Sequence, residues 1–222
     1  MMNCKMLFKS ISVLTSIPLW IFITFFYVVN VENVGFSRGE SMAPTVRTNS
    51  LIGRTKVESV EYQPNNGEMI SFRDVTNSSG FDSLGKRVIG RPGDLVELKQ
   101  GKLYINSLPV SQQVIVENED YIFFKEKFDN IEYYVQYFKN DSKWSNKDFS
   151  WGVVPDGHIF VMGDNRDKSY DSRDARLGFV PIEKVLTVMN KVKINTKQGL
   201  GSRQFNCSPY TVGDNLPYQG RC

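Results

Sequence analysis

The chain has 222 residues, of which 41% are hydrophobic and 23% are charged, enough for one globular domain with a subdomain and appendages. Its net charge is only +3, and basic residues are scattered among acidic ones, which argues against a nucleic-acid partner. A single histidine, His158, leaves no second imidazole for a multi-histidine metal site, and the three cysteines show no C-x-x-C spacing, which argues against zinc or iron.

The first predicted element is a membrane-spanning helix at residues 11–31. These 21 residues carry no charge, and at a rise of about 1.5 Å per residue such a helix reaches roughly 30 Å, the thickness of a bilayer core. A cleavable signal peptide is the alternative, but its apolar region is about 7 to 15 residues long and ends in small residues. Lys5 and Lys9 lie near the start of the span, which favours residues 1–10 in the cytoplasm and the rest of the chain outside it.

Residues 39–45 present one small hydroxyl, Ser41, between a flexible glycine and a proline. Gly39 permits close backbone approach, while Pro44 prevents a helix and favours an extended residue before it. The hydroxyl and the backbone N–H of Ser41 are therefore placed to face one cleft, as a nucleophile beside an oxyanion hole requires. The alternative is a serine in an ordinary polar turn.

Short apolar runs separated by Gly, Pro and Asn follow, and they predict a core made mostly of β-strands. The predicted strands are residues 51–53, 68–72, 87–90, 95–98 and 102–105. In residues 109–151 aromatic side chains are interleaved with charged and polar ones, which indicates an inserted β subdomain. Its aromatic residues either pack in the core and across strands, which we favour, or lie at a lipid interface. Residues 153–163 predict a turn and a strand that returns to the core.

A serine hydroxyl is a poor nucleophile, so a base must lie within hydrogen-bond reach. His158 is on an alternating apolar strand, where a packed structural histidine is the favoured interpretation. Lys86 is the better candidate because desolvation on a buried strand can release the proton of a lysine, although lysines are more often solvated at the surface. Arg87 would point to the opposite face of that strand.

Residues 163–173 form a segment dense in carboxylates and guanidinium groups. It is either an exposed loop or a buried network that orients a lysine and supports the site. Its spacing does not match a calcium-binding EF-hand loop.

The last 27 residues, 196–222, are rich in Gly, Pro, Asn and Ser and contain Cys207 and Cys222. A bridge between these cysteines would stabilise the tail by roughly 3 kcal/mol and would require an oxidising compartment. The alternative is two free thiols.

Four segments behind the anchor closely resemble, in order, those of the type I signal peptidases. The segments are residues 41–45, 67–72, 86–94 and 163–173, and the resemblance extends over about residues 39–181, without the insertion and the tail. It implies an antiparallel β catalytic core with an inserted β subdomain and no metal or cofactor. It also implies a membrane-bound serine endopeptidase of the bacterial plasma membrane, acting on its periplasmic or extracellular side. The implied partners are the signal peptides of exported preproteins and membrane lipid, with a translocation or secretion complex as a further candidate.

The resemblance also implies roles for single residues. Ser41 matches the nucleophile and the oxyanion donor, and Lys86 matches the general base. The lysine-orienting and supporting positions are Ser169, Asp171, Arg173, Asp164 and Arg166. The implied substrate-binding positions are Met42 and the strand Asp82, Ser83, Leu84 and Gly85, along which an extended substrate adds by β-pairing.

Three positions depart from the family pattern. Gly39 stands where some members carry a serine that supplies a second oxyanion donor. Gly85 stands where a bulky aliphatic residue often walls the small-residue pockets, so a relaxed preference for alanine at the cut site is expected. Lys168 replaces a usual asparagine, and it either helps to lower the pKa of Lys86 or faces solvent.

The predicted organisation has six parts. They are a cytoplasmic segment 1–10, an anchor 11–31, a catalytic core in two pieces 32–108 and 152–195, an insertion 109–151 and a tail 196–222. Two alternative functions stay open: a specialised relative that processes pilin or conjugation-system precursors, and a non-enzymatic anchored β-domain.

Overall fold

The computed structural model describes residues 33–57, 62–74, 76, 79–145, 147–193 and 205–206. The predicted anchor at residues 11–31 and the predicted bridge between Cys207 and Cys222 lie outside the described residues. Within the described ranges, no helix is long and apolar enough to cross a membrane.

The described residues form β-strands joined by turns, with one 3₁₀ helix at Ile182–Lys184. In chain order the strands are β1 Asn33–Phe36, β2 Leu51–Lys56, β3 Met69–Arg73, β4 Ser83–Gly90, β5 Leu95–Lys99, β6 Lys102–Ile105, β7 Leu108–Pro109, β8 Ser111–Glu117, β9 Tyr121–Phe128, β10 Ile131–Phe138, β11 Phe149–Val153, β12 His158–Met162, β13 Val180–Pro181, β14 Val185–Lys193 and β15 Phe205–Asn206. All of these strands pair antiparallel. The prediction of a mostly antiparallel β fold is therefore confirmed.

The strands lie in three sheets. The largest has the order β1-β2-β14-β3-β4-β12-β13, with β15 paired to β14. A three-stranded sheet has the order β10-β9-β8, and a four-stranded sheet has the order β11-β5-β6-β7.

The centre of the large sheet follows from its sequence. In β3, Met69, Ile70 and Phe72 are all buried, and in β4 the run from Lys86 to Gly90 is buried as well, so both faces of these strands are covered. Strand β12, expected from residues 153–163, pairs with β4 on the side opposite β3. The two charged residues Lys86 and Arg87 are thereby enclosed in the middle of an apolar sheet.

The aromatic segment contributes to two sheets. Strands β8 to β10 form the three-stranded sheet, whereas β11 pairs with β5. Phe123, Tyr133, Tyr134 and Tyr137 are buried, as core packing requires, while the side chain of Phe149 is 54% exposed. The three-stranded sheet contacts the large-sheet region through a parallel bridge between Gln136 and Asn165.

Candidate active site

A cleft of about 770 Å³ opens beside Ser41 and Lys86. It is lined on one side by the segment between β1 and β2, and on another by the first half of β4. The predicted substrate-binding residues Met42, Asp82, Ser83, Leu84 and Gly85 all line it. The structure therefore brings the predicted nucleophile, base and substrate positions to one cavity.

Ser41 begins a tight turn at residues 41–45. The Val46 N–H donates to the Met42 carbonyl at 2.8 Å, and the Ala43–Pro44 peptide bond is cis. Gly39 has a φ of +80°, a conformation that glycine adopts without steric cost. The turn leaves the Ser41 side chain partly exposed while Met42 and Ala43 are buried beneath it.

Lys86 is buried, with 2% of its surface exposed, and its Nζ lies 2.8 Å from Ser41 Oγ. The same Nζ donates to the Gly85 carbonyl at 3.0 Å. Burial lowers the pKa of Lys86 to about 8, because desolvation disfavours the ammonium form. Asp171 and Asp164 oppose this shift of the pKa, while Arg173 adds to it. Near neutral pH roughly a tenth to a fifth of Lys86 is therefore the neutral amine, far more than for a lysine of ordinary pKa.

The charged residues of the segment 163–173 form a buried network. Asp171 pairs with Arg173 at 2.8 Å and accepts a second hydrogen bond from the Gly163 N–H at 2.8 Å. Burial alone would raise the pKa of Asp171, but Arg173 holds that pKa below its ordinary value. Arg173 also donates to the Arg166 carbonyl at 2.7 Å, which closes the loop on itself. Of the two open interpretations, the buried network is the one observed.

Asp164 joins this network to the strand that carries Lys86. It accepts hydrogen bonds from Arg87 at 2.8 and 2.6 Å, and it also accepts one from the hydroxyl of Thr45. Thr45 belongs to the turn that presents Ser41. One carboxylate therefore joins the strand that carries Lys86 to the turn that carries Ser41.

Arg166 extends the network into the three-stranded sheet. It donates to Glu126 at 2.6 Å and to the Tyr137 hydroxyl at 3.0 Å. Arg166 and Glu126 are each at least 99% buried. Sequence reasoning missed Glu126, since a single glutamate in a polar and aromatic strand carries no local signal of a buried partner. This pair fixes the segment 163–173 against the insertion.

Asn165 and Gly163 position the backbone at Ser41. The Asn165 N–H donates to the Ser41 carbonyl at 3.0 Å, and its Nδ2 donates to the Glu40 carbonyl at 3.2 Å. A Cβ at Gly163 would lie 2.4 Å from the Ser41 carbonyl oxygen, so only glycine allows this approach. Because a peptide unit is planar, fixing the Glu40 carbonyl also fixes the direction of the Ser41 N–H. Among the described residues, none accepts a hydrogen bond from that N–H.

Three further residues singled out in the sequence, Ser169, His158 and Lys168, differ in their surroundings. The Ser169 hydroxyl is buried beside Gly163 and close to Asp171, whose pKa it helps to lower through a poorly aligned hydrogen bond, and it forms no hydrogen bond with Lys86. His158 is at the start of β12, where its Nδ1 lies 2.9 Å from the Asp156 carbonyl, and it does not line the cleft. Lys168 is exposed, and its Nζ lies 5.6 Å from the ring centre of Tyr121. Within the described part of the chain, no cluster of His, Cys, Asp or Glu is arranged to hold a metal ion.

The first half of β4 has an open edge at the cleft. β3 pairs with β4 from Ser83 to Arg87, whereas β12 pairs with it only from Arg87 onward. The second edge of residues 83–86 therefore has no strand partner among the described residues. An extended peptide can pair there in the way that a further strand would.

The family model for signal peptidase, peptidase S26, matches residues 7–193, and the chain belongs to this family. The chain is 33% identical over 147 residues to signal peptidase I of Rickettsia canadensis, with 61% of this chain and 54% of that protein covered. It is 31% identical over 162 residues to a probable signal peptidase I of Synechocystis, with 70% of this chain and 60% of that protein covered. A solved signal peptidase I from Enterococcus faecalis is 29% identical with a TM-score of 0.39, and the match covers 57% of this chain and 97% of that one.

The chain thus spans about half the length of the curated Rickettsia relatives that it matches. The matched region contains Ser41, Lys86 and the segment 163–173.

Proposed function

We propose that the chain is a serine endopeptidase that removes N-terminal signal peptides from exported preproteins by a Ser-Lys dyad. The observation that carries this proposal is the 2.8 Å contact between the Nζ of Lys86 and Oγ of Ser41 in a cleft that also exposes a free β-strand edge. Family membership supports the substrate class.

The chemistry proceeds in two steps. In the first, neutral Lys86 accepts the Ser41 proton while Oγ attacks the scissile carbonyl, and the resulting ammonium then protonates the departing amine. In the second, the same amine takes a proton from water as the water oxygen attacks the ester carbonyl, and the resulting ammonium returns that proton to Oγ of Ser41 as the bond between the acyl carbon and Oγ breaks. The buried hydroxyl of Ser169 is available to hold the amine between these steps.

The backbone N–H of Ser41 is the proposed hydrogen-bond donor to the oxyanion, since it donates to no acceptor among the described residues. A donor of this kind contributes roughly 3 kcal/mol to transition-state stabilisation. In this scheme the buried ion pairs hold the segment 163–173 in place and do not touch the reacting atoms. The residues of this segment that form them are Asp164, Arg166, Asp171 and Arg173.

The substrate lies along residues 82–85 as an added strand and reaches Ser41 at its end. We also propose that residues 11–31 anchor the chain in the bacterial plasma membrane, with the catalytic part on the periplasmic or extracellular side. This places the cleft close to the surface from which a signal peptide emerges.

Cleavage of a purified preprotein by the wild type and by Ser41→Ala tests the proposal. We expect the wild type to release the signal peptide and Ser41→Ala to release none, while His158→Ala retains most of the activity. A Ser41→Ala protein that cleaves as fast as the wild type would contradict the assignment.

A further inference from the structure

Gly85 leaves a gap in β4 that the side chain of Met189 fills. A Cβ built at Gly85 would lie 2.7 Å from Cε and 3.8 Å from Sδ of Met189. Met189 comes from β14, so its side chain reaches across β3 to cover the position next to Lys86. The volume that a side chain at position 85 would occupy is therefore not empty.

Met189 belongs to an apolar cluster under the cleft. The cluster consists of Met42, Val46, Ile52, Met69 and Met189. All of its members except Met69 also line the cleft, and Met189 is only 7% exposed. Met189 is thus a wall of the cavity beside Ser41 as well as a core residue.

The direction of a bound substrate brings its side chains to this wall. An extended peptide paired with residues 83–86 points alternate side chains to the same face of the sheet. The first and third residues before the scissile bond therefore point the same way. On the face towards which a Cβ at Gly85 would point, the tip of Met189 restricts the space for such side chains.

We infer that Met189 is a specificity-determining residue, which closes the pocket for the first or third residue before the cut so that it takes small uncharged side chains. The inference rests on the proposed function. It reverses the expectation that Gly85 relaxes the preference for alanine, because the space left by glycine is occupied from β14.

The test measures kcat/KM for signal-peptide substrates with alanine or leucine at the first or the third position before the cut. Met189→Ala is expected to raise the leucine-to-alanine ratio about tenfold or more at one of the two positions, since a few methylene groups in an apolar pocket are worth that much. Met69→Ala is the matched control, because Met69 is in the same cluster but does not line the cleft. It should lose stability through a similar cavity and keep the wild-type ratio.

A double variant fills the space left by Met189 with a side chain from β4 instead of β14. In Gly85→Leu/Met189→Ala the leucine occupies the space that the methionine leaves, and the ratio should return towards that of the wild type. Gly85→Ala alone should push the methionine tip further into the pocket and lower the ratio. This variant keeps the full core and so tests the inference even if Met189→Ala does not fold.

The outcomes separate the two proposals. A wild type that cleaves preprotein, together with unchanged ratios in Met189→Ala and Gly85→Ala, overturns the inference and leaves the proposed function intact. A wild type that cleaves no substrate, with Ser41→Ala indistinguishable from it, overturns the proposed function and this inference with it.

Discussion

Lys86 and Arg87 are adjacent cations in β4 that are equally buried, each 2% exposed, but they have different surroundings. Arg87 forms a two-pronged pair with Asp164 at 2.8 and 2.6 Å and donates to the Gly67 carbonyl at 2.7 Å. Among the described residues, the Nζ of Lys86 forms hydrogen bonds only with the Ser41 hydroxyl and the Gly85 carbonyl, and no carboxylate lies within ion-pair distance of it.

The difference supports the proposed roles, in which one strand holds a structural charge at Arg87 beside a general base at Lys86. A buried cation that is paired stays charged and fixes its partner, whereas a buried cation without a carboxylate partner gives up its proton more easily. Alternation along the strand places the two side chains on opposite faces, so that only Lys86 reaches Ser41. The predictions below test this division of roles.

The largest effect is expected for Lys86→Met, which removes the base. Cleavage of a preprotein should fall by about 10²- to 10⁴-fold, because a positioned general base contributes on this scale. Lys168→Met is the matched control, since Lys168 lines the same cleft but is exposed and lies over Tyr121. Retention of near wild-type turnover by Lys86→Met would remove the lysine from the mechanism.

Arg87→Met should instead destabilise the fold. It leaves the buried Asp164 charge without its cation, which costs roughly 3 to 5 kcal/mol in the free energy of unfolding. Arg176→Met, which breaks the exposed pair with Asp174, should cost little or nothing measurable, because solvent screens that pair. Denaturant titration of both variants measures the contrast, and equal losses would show that the burial of the Asp164 pair has no energetic weight.

Lys86→Met should also change the free energy of unfolding by an amount that depends on pH. The folded pKa of about 8 lies below the unfolded value of 10.5, so between these pH values the unfolded chain binds more protons and wild-type stability rises with pH. Lys86→Met lacks this dependence. Its stability relative to the wild type should therefore be highest below pH 8 and fall by on the order of 3 kcal/mol towards pH 10.5. A relative stability that is constant across this range would contradict the pKa shift.

A smaller effect is expected for Asn165→Ala, which leaves both side chains of the dyad in place. Loss of the hydrogen bond to the Glu40 carbonyl frees the peptide unit that carries the Ser41 N–H. We expect kcat to fall roughly tenfold with little change in KM, as for loss of transition-state positioning. A rise in KM with unchanged kcat would instead place Asn165 in substrate binding.

Several strands of the large sheet were predictable because their signals are local. The apolar runs at residues 68–72 and 87–90 both follow from short-range patterns, and β3 and β4 contain them, whereas the burial of Lys86 does not follow from its neighbours in the sequence. The start of β4 at Ser83 did not follow from the apolar pattern, which predicts a strand only from residue 87; residues 82–85 were expected to be a strand only through the family resemblance. Ser83 and Gly85 carry no strand signal, and they are extended because β3 supplies their hydrogen-bond partners.

The supporting contacts were not predictable because they join segments far apart in the chain. Glu126 pairs with Arg166 only after the three-stranded sheet has packed against the segment 163–173. Met189 fills the gap at Gly85 only because β14 inserts between β2 and β3. Neither contact leaves a pattern within a single stretch of sequence.

The central claim is that Lys86 is an amine poised to lose its proton while its neighbour Arg87 stays charged. Nuclear magnetic resonance of protein labelled with ¹³Cε-lysine, titrated with pH and assigned with Lys86→Met, tests it most directly. We predict one lysine resonance with a midpoint at about pH 8 that is missing from the variant. A Lys86 resonance that titrates only above pH 10 would contradict the account.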